Sequence, residues 1–198
     1  MSTPVIGLSH FYYAKVTADT SSTITYGTPV RVKNVTQANI SFNSVDETFF
    51  ADNGAAITYV QMGEIEASIN VADLTSEQYA ELLGFKHTTQ GVIEADVDAT
   101  PIDVAIGFKV MKTDGSYRYI WLMKGKFAVP EANAQTKEAS VNFQQQELTW
   151  KGVQRVNDGL IMRRVDSNDE KLPEGVTATV LDAKWFENPD YVPATPTT

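Results

Sequence analysis

Apolar and polar side chains alternate from Val104 to Thr113 and again from Ser116 to Val129, with Asp114 and Gly115 between the two runs. Alternation is the mark of a strand with one face buried, and Asp-Gly is a two-residue turn that needs positive φ. The pattern predicts a long β-hairpin with Phe108 facing Trp121, Val110 facing Tyr119 and Ile106 facing Met123 on one side. Lys109, Met111, Arg118, Lys124 and Lys126 fall on the other, a mixed face left to water, a neighbouring subunit or a partner.

The same signal recurs elsewhere. Residues 8–16 read as a strand, as do residues around Pro29 to Lys33 after the Ser/Thr-rich stretch Asp19 to Thr23. Ala38, Ile40 and Phe42 alternate with Asn39, Ser41 and Asn43; Ile65, Ala67, Ile69 and Val71 alternate with Glu64, Glu66, Ser68 and Asn70. Between them, residues 44–60 carry Phe49, Phe50, Ile57 and Tyr59 around the turn-like Asp52-Asn53-Gly54. They read as a long loop or arm, too apolar to stay free in water, that folds back or docks on another molecule.

Thr75 as N-cap, Gln78 at the capping-box position, Leu74 with Tyr79 as a staple and Gly84 as terminator predict a helix over about residues 75–84. Tyr79, Leu82 and Leu83 form a narrow apolar stripe, so the helix flanks a sheet. Further strands are expected over 139–151, 153–165 and 176–186, separated by polar loops. A flexible arm is expected over the Pro-punctuated residues 188–198. The reading is mainly β with a minor helical part: one β-sandwich or barrel domain over 1–187, one flanking helix and terminal arms.

Composition narrows the function. The chain has 198 residues, is 42% hydrophobic and carries a formal charge of −9. That charge disfavours tight binding to nucleic-acid phosphates or to an anionic membrane, both of which need Lys and Arg. Residues 1–100 hold 12 acidic and 4 basic side chains, so the negative surface belongs mostly to the first half. Cysteine is absent, which removes disulfides, thiolate metal sites and a cysteine nucleophile. The N-terminus lacks the pattern of a cleaved signal and no run reaches the length of a membrane span, so a soluble protein is expected.

Catalytic patterns are weak. His10 and His87 stand apart without a third ligand at useful spacing. Lys124-Gly125-Lys126 lacks the rest of a phosphate loop, and no Gly-x-Ser-x-Gly or Gly-x-Gly-x-x-Gly occurs. The run from Asp166 to Glu170 alternates oxygen ligands like a calcium loop but lacks its glycine and helices, and reads as a solvated turn. Glu64 and Glu66 share a strand face without a cleft motif and read as a polar wall. Asn34-Val-Thr36 and Asn39-Ile-Ser41 match a glycosylation sequon, a chance match without an export signal. No enzyme, cofactor or metal is expected.

Several stretches taken together resemble the major tail, or tail-tube, proteins of long non-contractile-tailed phages of Gram-positive hosts. They are Gly7-Leu8 with Tyr12-Tyr13-Ala14-Lys15, Ala51-Asp52-Asn53-Gly54-Ala55, Gly63-Glu64-Ile65-Glu66, Asn70-Val71-Ala72-Asp73-Leu74 and Leu82-Leu83-Gly84. Gly107-Phe108-Lys109, Tyr117-Arg118-Tyr119 with Trp121, and Lys124-Gly125-Lys126-Phe127 complete the set, which runs over most of residues 7–130 in order. The resemblance implies a β-sandwich subunit closing hexameric rings that stack into a hollow tube for double-stranded DNA. It implies tape-measure, tail-terminator and distal tail proteins as partners, a place in the virion, and assembly in the host cytoplasm. Carried onto this chain, Asn39, Ser41, Asn43, Glu64, Glu66, Asn142, Gln144 and Gln146 face the lumen, and Phe49, Phe50, Ile57 and Tyr59 make the inter-ring contact.

Two other readings stand beside it. A monomeric β-sandwich module would bind carbohydrate or a receptor through exposed aromatics such as Tyr12, Tyr13, Tyr117 and Tyr119, although strand aromatics in an alternating pattern are usually core. A tail-terminator or baseplate ring protein would form one ring and stop. A sizing column and electron microscopy separate the three.

Overall fold

The computed structural model describes residues 4–51, 54–130 and 145–195. Strands come first in the chain: β1 (Val5–Asp19), β2 (Ile24–Tyr26), β3 (Val30–Val32), β4 (Val35–Ala51) and β5 (Gly54–Val71). Helix α1 (Ser76–Leu83), the two-residue β6 (Lys86–His87) and β7 (Ile93–Glu94), β8 (Val104–Lys112) and β9 (Tyr117–Phe127) follow. The described chain closes with β10 (Gln146–Gly152), β11 (Met162–Asp166) and α2 (Ala178–Lys184). The mainly β expectation holds. One antiparallel sheet runs in the order β2-β1-β8-β9-β10-β5-β4, with β3 added to β1 and β11 to β9.

This sheet curls, because a single core joins strands that are not neighbours. Phe11 and Tyr13 of β1 and Val32 of β3 are buried in one cluster with Ile65, Ala67 and Ile69 of β5. Leu82 and Leu83 of α1 enter the same cluster. The two walls of this sandwich-like core therefore belong to one continuous sheet, which among the described residues does not close into a barrel. Helix α1 matches the sequence signals closely: the Thr75 side chain accepts from the Gln78 amide, Gln78 returns the bond, and Gly84 ends the helix at φ 70°.

The central hairpin forms in a register one residue away from the expected one. Gly115 donates to the Lys112 carbonyl at 3.1 Å and Lys112 donates to Ser116 at 2.9 Å, so Thr113, Asp114 and Gly115 make a three-residue loop with Gly115 at φ 81°. Phe108 consequently opposes Ile120, Ile106 opposes Leu122, Trp121 lies across from Gly107 and Tyr119 across from Lys109. A slip of one residue moves every side chain to the other face. Phe108, Ile120 and Leu122 enter the core just described, whereas Tyr119, Trp121 and Met123 join a second core with Ala14, Ala105, Leu181, Trp185 and Phe186. The hairpin is thus buried on both faces. Gly107 permits this packing, since a Cβ there would stand 2.6 Å from the Trp121 ring.

The second core exists because residues 178–184 are helical, where a strand was expected. The Thr177 side chain caps α2 by accepting from the Val180 amide, and Leu181 and Trp185, four residues apart, turn to the same side. Alternating Val176, Ala178 and Val180 suggest a strand, yet helical spacing is what delivers Leu181 and Trp185 together to the sheet. Phe186 then stacks on Tyr12 at 4.6 Å, and Trp121 donates its indole N–H to the Trp185 carbonyl at 2.9 Å. The segment expected to be a free arm continues onto the body: Pro189 is buried, Tyr191 packs on the second core, and Asp190 accepts from Arg155 at 3.0 Å.

Residues 44–60 differ most from expectation. They form the outer part of a ribbon of 17 and 18 residues, with β4 and β5 paired from Val35 and Val71 to Ala51 and Gly54. Residues 52 and 53 lie outside the described residues. Of the expected strand over 153–165, only β11 appears; it pairs with β9 from Met162 to Asp166.

Candidate assembly surfaces

The polar residues of β4 and β5 come together on one surface. Ala38 opposes Ile69, Ile40 opposes Ala67 and Phe42 opposes Ile65, all on the core side; the intervening pairs Asn39 with Ser68 and Ser41 with Glu66 therefore share the outer side. Asn43 and Glu64 stand at the register shift between Phe42 and Ser44, both exposed. Strand β10 extends this surface by placing Lys151 beside Glu66, Thr149 beside Ser68 and Glu147 beside Asn70. Three carboxylates and one ammonium, spaced by hydroxyls and amides, make a mildly acidic wall.

Gln146 does not join that wall. It opposes Val71 and shares the side of buried Leu148 and Trp150, the core side of the sheet. Its sequence neighbours already carried that parity: Leu148 and Trp150 lie two and four residues on. Asn142 and Gln144 lie outside the described residues. Phe49 pairs with Ile57 and Glu47 with Tyr59 in the outer ribbon, while Phe50 pairs with Ala55 across another register shift.

The second feature is an edge. Strand β10 pairs with β5 only from Ile65 to Val71, so from Ser44 and Met62 outward the ribbon pairs with itself alone among the described residues. Strand β4 ends the sheet order, and among the described residues nothing pairs with its outer edge, which leaves backbone groups unpaired over most of its length. A two-stranded ribbon is marginal by itself in water. Sequence reasoning missed this geometry because the ribbon's alternation is masked by runs such as Phe49-Phe50 and Ala55-Ala56.

Asp166, from the run that resembles a calcium loop, and other charged residues of the body are tied up in ion pairs within the chain. Asp166 takes two bonds from Arg118, at 2.8 and 3.0 Å, and pairs with Lys112 at 2.7 Å and Arg164 at 3.4 Å. The Arg118 guanidinium, opposed by burial and reinforced by Lys112 and Arg164, holds the Asp166 carboxyl well below the usual carboxylate range. Asp19 ties Lys124 at 2.7 Å and the Val156 and Asn157 amides; burial alone would raise its carboxyl, and these partners outweigh it. Lys109, buried, pairs with Asp182 at 2.6 Å and lies 3.7 Å over the Tyr117 ring. His10 is exposed and its imidazole is shifted down by burial, then by Arg31 and Lys109. Among the described residues no group of three His, Cys, Asp or Glu could hold a metal, and no helix is long and apolar enough to cross a membrane.

The Asp166 cluster sets a pH dependence. Its pKa is depressed in the folded state, so its contribution to stability is complete above the unfolded value of about 4 and is lost as pH falls below that. Urea unfolding at pH 7 and pH 3 should show a drop for the wild type that is smaller in Asp166→Asn. Equal drops in both would remove the cluster from the acid response.

What the described residues define is a mainly β subunit whose distinctive surfaces are an edge left open among them, a long two-stranded ribbon and a polar wall, all suited to contact over large areas. A family model described as phage tail tube protein matches residues 22–180. The chain belongs to that family, and its role is structural, in the tail tube of a virion. No curated protein matches it.

Proposed function

We propose that six copies close a ring, that rings stack into a hollow tube, and that double-stranded DNA passes along its lumen during ejection. The observation that carries this reading is the outer edge of β4, unpaired among the described residues, beside the ribbon that among them pairs only with itself. Edges of this length aggregate unless covered, and copies of the same chain arranged in a closed ring cover them without leaving an end. The wall of Asn39, Ser41, Asn43, Glu64 and Glu66 then faces the lumen. Carboxylates and amides hold phosphate weakly, so DNA slides without being trapped. The ribbon with Phe49, Phe50, Ile57 and Tyr59 reaches the adjacent ring, and tape-measure, terminator and distal tail proteins meet the tube inside and at its ends.

The double variant Glu64→Lys/Glu66→Lys tests the wall. Electron microscopy should show tubes like those of the wild type, while genome delivery by phage carrying the variant falls about tenfold or more because the lumen now binds phosphate. Undiminished delivery would count against a lumenal wall. Isolated rings in the wild type would favour a terminator, and single particles at every concentration would exclude the tube.

A further inference from the structure

Strand β1 and the β3–β4 corner enclose a cleft whose chemistry is opposite to that of the chain as a whole. Residues 8–11 and 31–35 line a hollow of about 390 Å³ that presents His10, Arg31 and Lys33 and no carboxylate. Tyr12 opposes Arg31 and Phe11 opposes Val32, so Arg31 lies on the side of β3 away from buried Val32, and exposed Lys33 follows directly after the strand. Nearly every other Lys and Arg among the described residues is held in an ion pair within the chain; Arg31, Lys33, Lys151 and Lys171 are the exceptions.

Backbone geometry marks the same place. His10 at φ 56° and Asn34 at φ 61° are the non-glycine residues with positive φ among the described residues, and both line this cleft. The register of β1 against β8 shifts between Ser9 and Tyr12, a bulge that re-aims the side chain beside it. Bulges and left-handed residues gather where a surface is shaped to receive something.

A matching projection lies elsewhere on the same molecule. Val97 is 100% exposed at the tip of the segment between β7 and β8, flanked by exposed Asp96 and Asp98, neither of which is in an ion pair. The Ala99 amide donates to the Asp96 carbonyl at 3.1 Å, which holds the tip as a turn. This tip borders a separate hollow with Gly84 and Lys86, so it is not seated in its own chain's cleft. A fully exposed valine between two free carboxylates fits a cleft with free cations at its rim and half-buried Leu8 and Val35 in its wall.

We propose that the cleft between Leu8–Phe11 and Arg31–Val35 receives the Asp96-Val97-Asp98 tip of a second copy of this chain. The proposal rests on self-assembly of the chain and adds a specific head-to-tail contact within it. Such a heterologous contact, repeated around an axis, closes a ring.

The absence of cysteine makes the contact directly testable. A chain carrying Lys33→Cys and Val97→Cys, assembled and mildly oxidised, should give a ladder of covalent oligomers on a non-reducing gel, since disulfides form only between closely placed Cβ atoms. Each single-cysteine chain should give no ladder. In parallel, Arg31→Glu/Lys33→Glu should abolish assembly and regain it when Asp96→Lys/Asp98→Lys is added to the same chain. Assembled particles that yield no ladder would overturn this contact and leave the tube reading intact. A wild-type chain that stays monomeric on a sizing column at every concentration would overturn both. Where the charge-reversed chain fails to fold by circular dichroism, the cross-link alone decides.

Discussion

Replacing residues 46–60 by Asn-Gly is expected to abolish tube formation while leaving a folded, soluble subunit. In the native chain Val45 opposes Gln61, so a two-residue turn at that point closes the hairpin in its existing register. The removed part pairs only with itself among the described residues, and β10 binds β5 below it, from Ile65 to Val71. Stability should therefore change by about 1 kcal/mol or less. Assembly should fall to nothing, because the ribbon is the element that leaves the body of the subunit. Sizing, urea unfolding and electron microscopy together decide. Normal tubes from the shortened chain would refute a role for the ribbon in stacking, and an unfolded product would show that the ribbon belongs to the fold.

The second large effect is expected from Trp185→Ala. Trp185 is 1% exposed, its carbonyl accepts the Trp121 indole N–H, and its ring meets Tyr119 and Tyr191. Truncating a buried aromatic to alanine costs about 3–5 kcal/mol through lost burial and the cavity left behind. Against a total of about 5–15 kcal/mol for a domain, that is enough to unfold a marginal protein. The outer face of the central hairpin would lose its cover, and urea midpoints should fall accordingly. A loss under about 1 kcal/mol would mean that the face is covered without α2. Here the polypeptide past β11 acts as core, a role its Pro-punctuated composition conceals.

Local signals translated well. The helix after Thr75 was legible because capping is settled within four residues, by a threonine hydroxyl, a glutamine and a terminating glycine. Alternation in Ala38–Asn43 and Glu64–Val71 placed Asn39, Ser41, Glu64 and Glu66 on a common outer side, since the strand period is two whatever the partner. Gln146 failed for a related reason: its neighbours Asn142 and Gln144 suggested a polar face, whereas Leu148 and Trp150 carried the parity that the sheet uses.

Long-range choices were not legible. Asp114-Gly115 fits a two-residue turn as well as the end of a three-residue loop, and the difference of one residue decides which core Trp121 enters. Residues 176–186 alternate well enough for a strand, yet become helical because the uncovered face of β8 and β9 needs Leu181, Trp185 and Phe186 at once. The basic cleft was equally hidden, being assembled from segments about 20 residues apart by the pairing of β1 with β3.

By itself, then, the sequence determined the mainly β class, the capped helix, the acidic balance, the polar face of the ribbon's base and the family. Only the tertiary structure decided the register of the central hairpin, the helical fate of the C-terminal segment and the extension of residues 44–60 as paired strands. The physical reason is range. Caps and side-chain alternation are fixed by interactions among residues a few positions apart, whereas the choice of buried face depends on loop length and on distant elements competing to cover the same apolar surface.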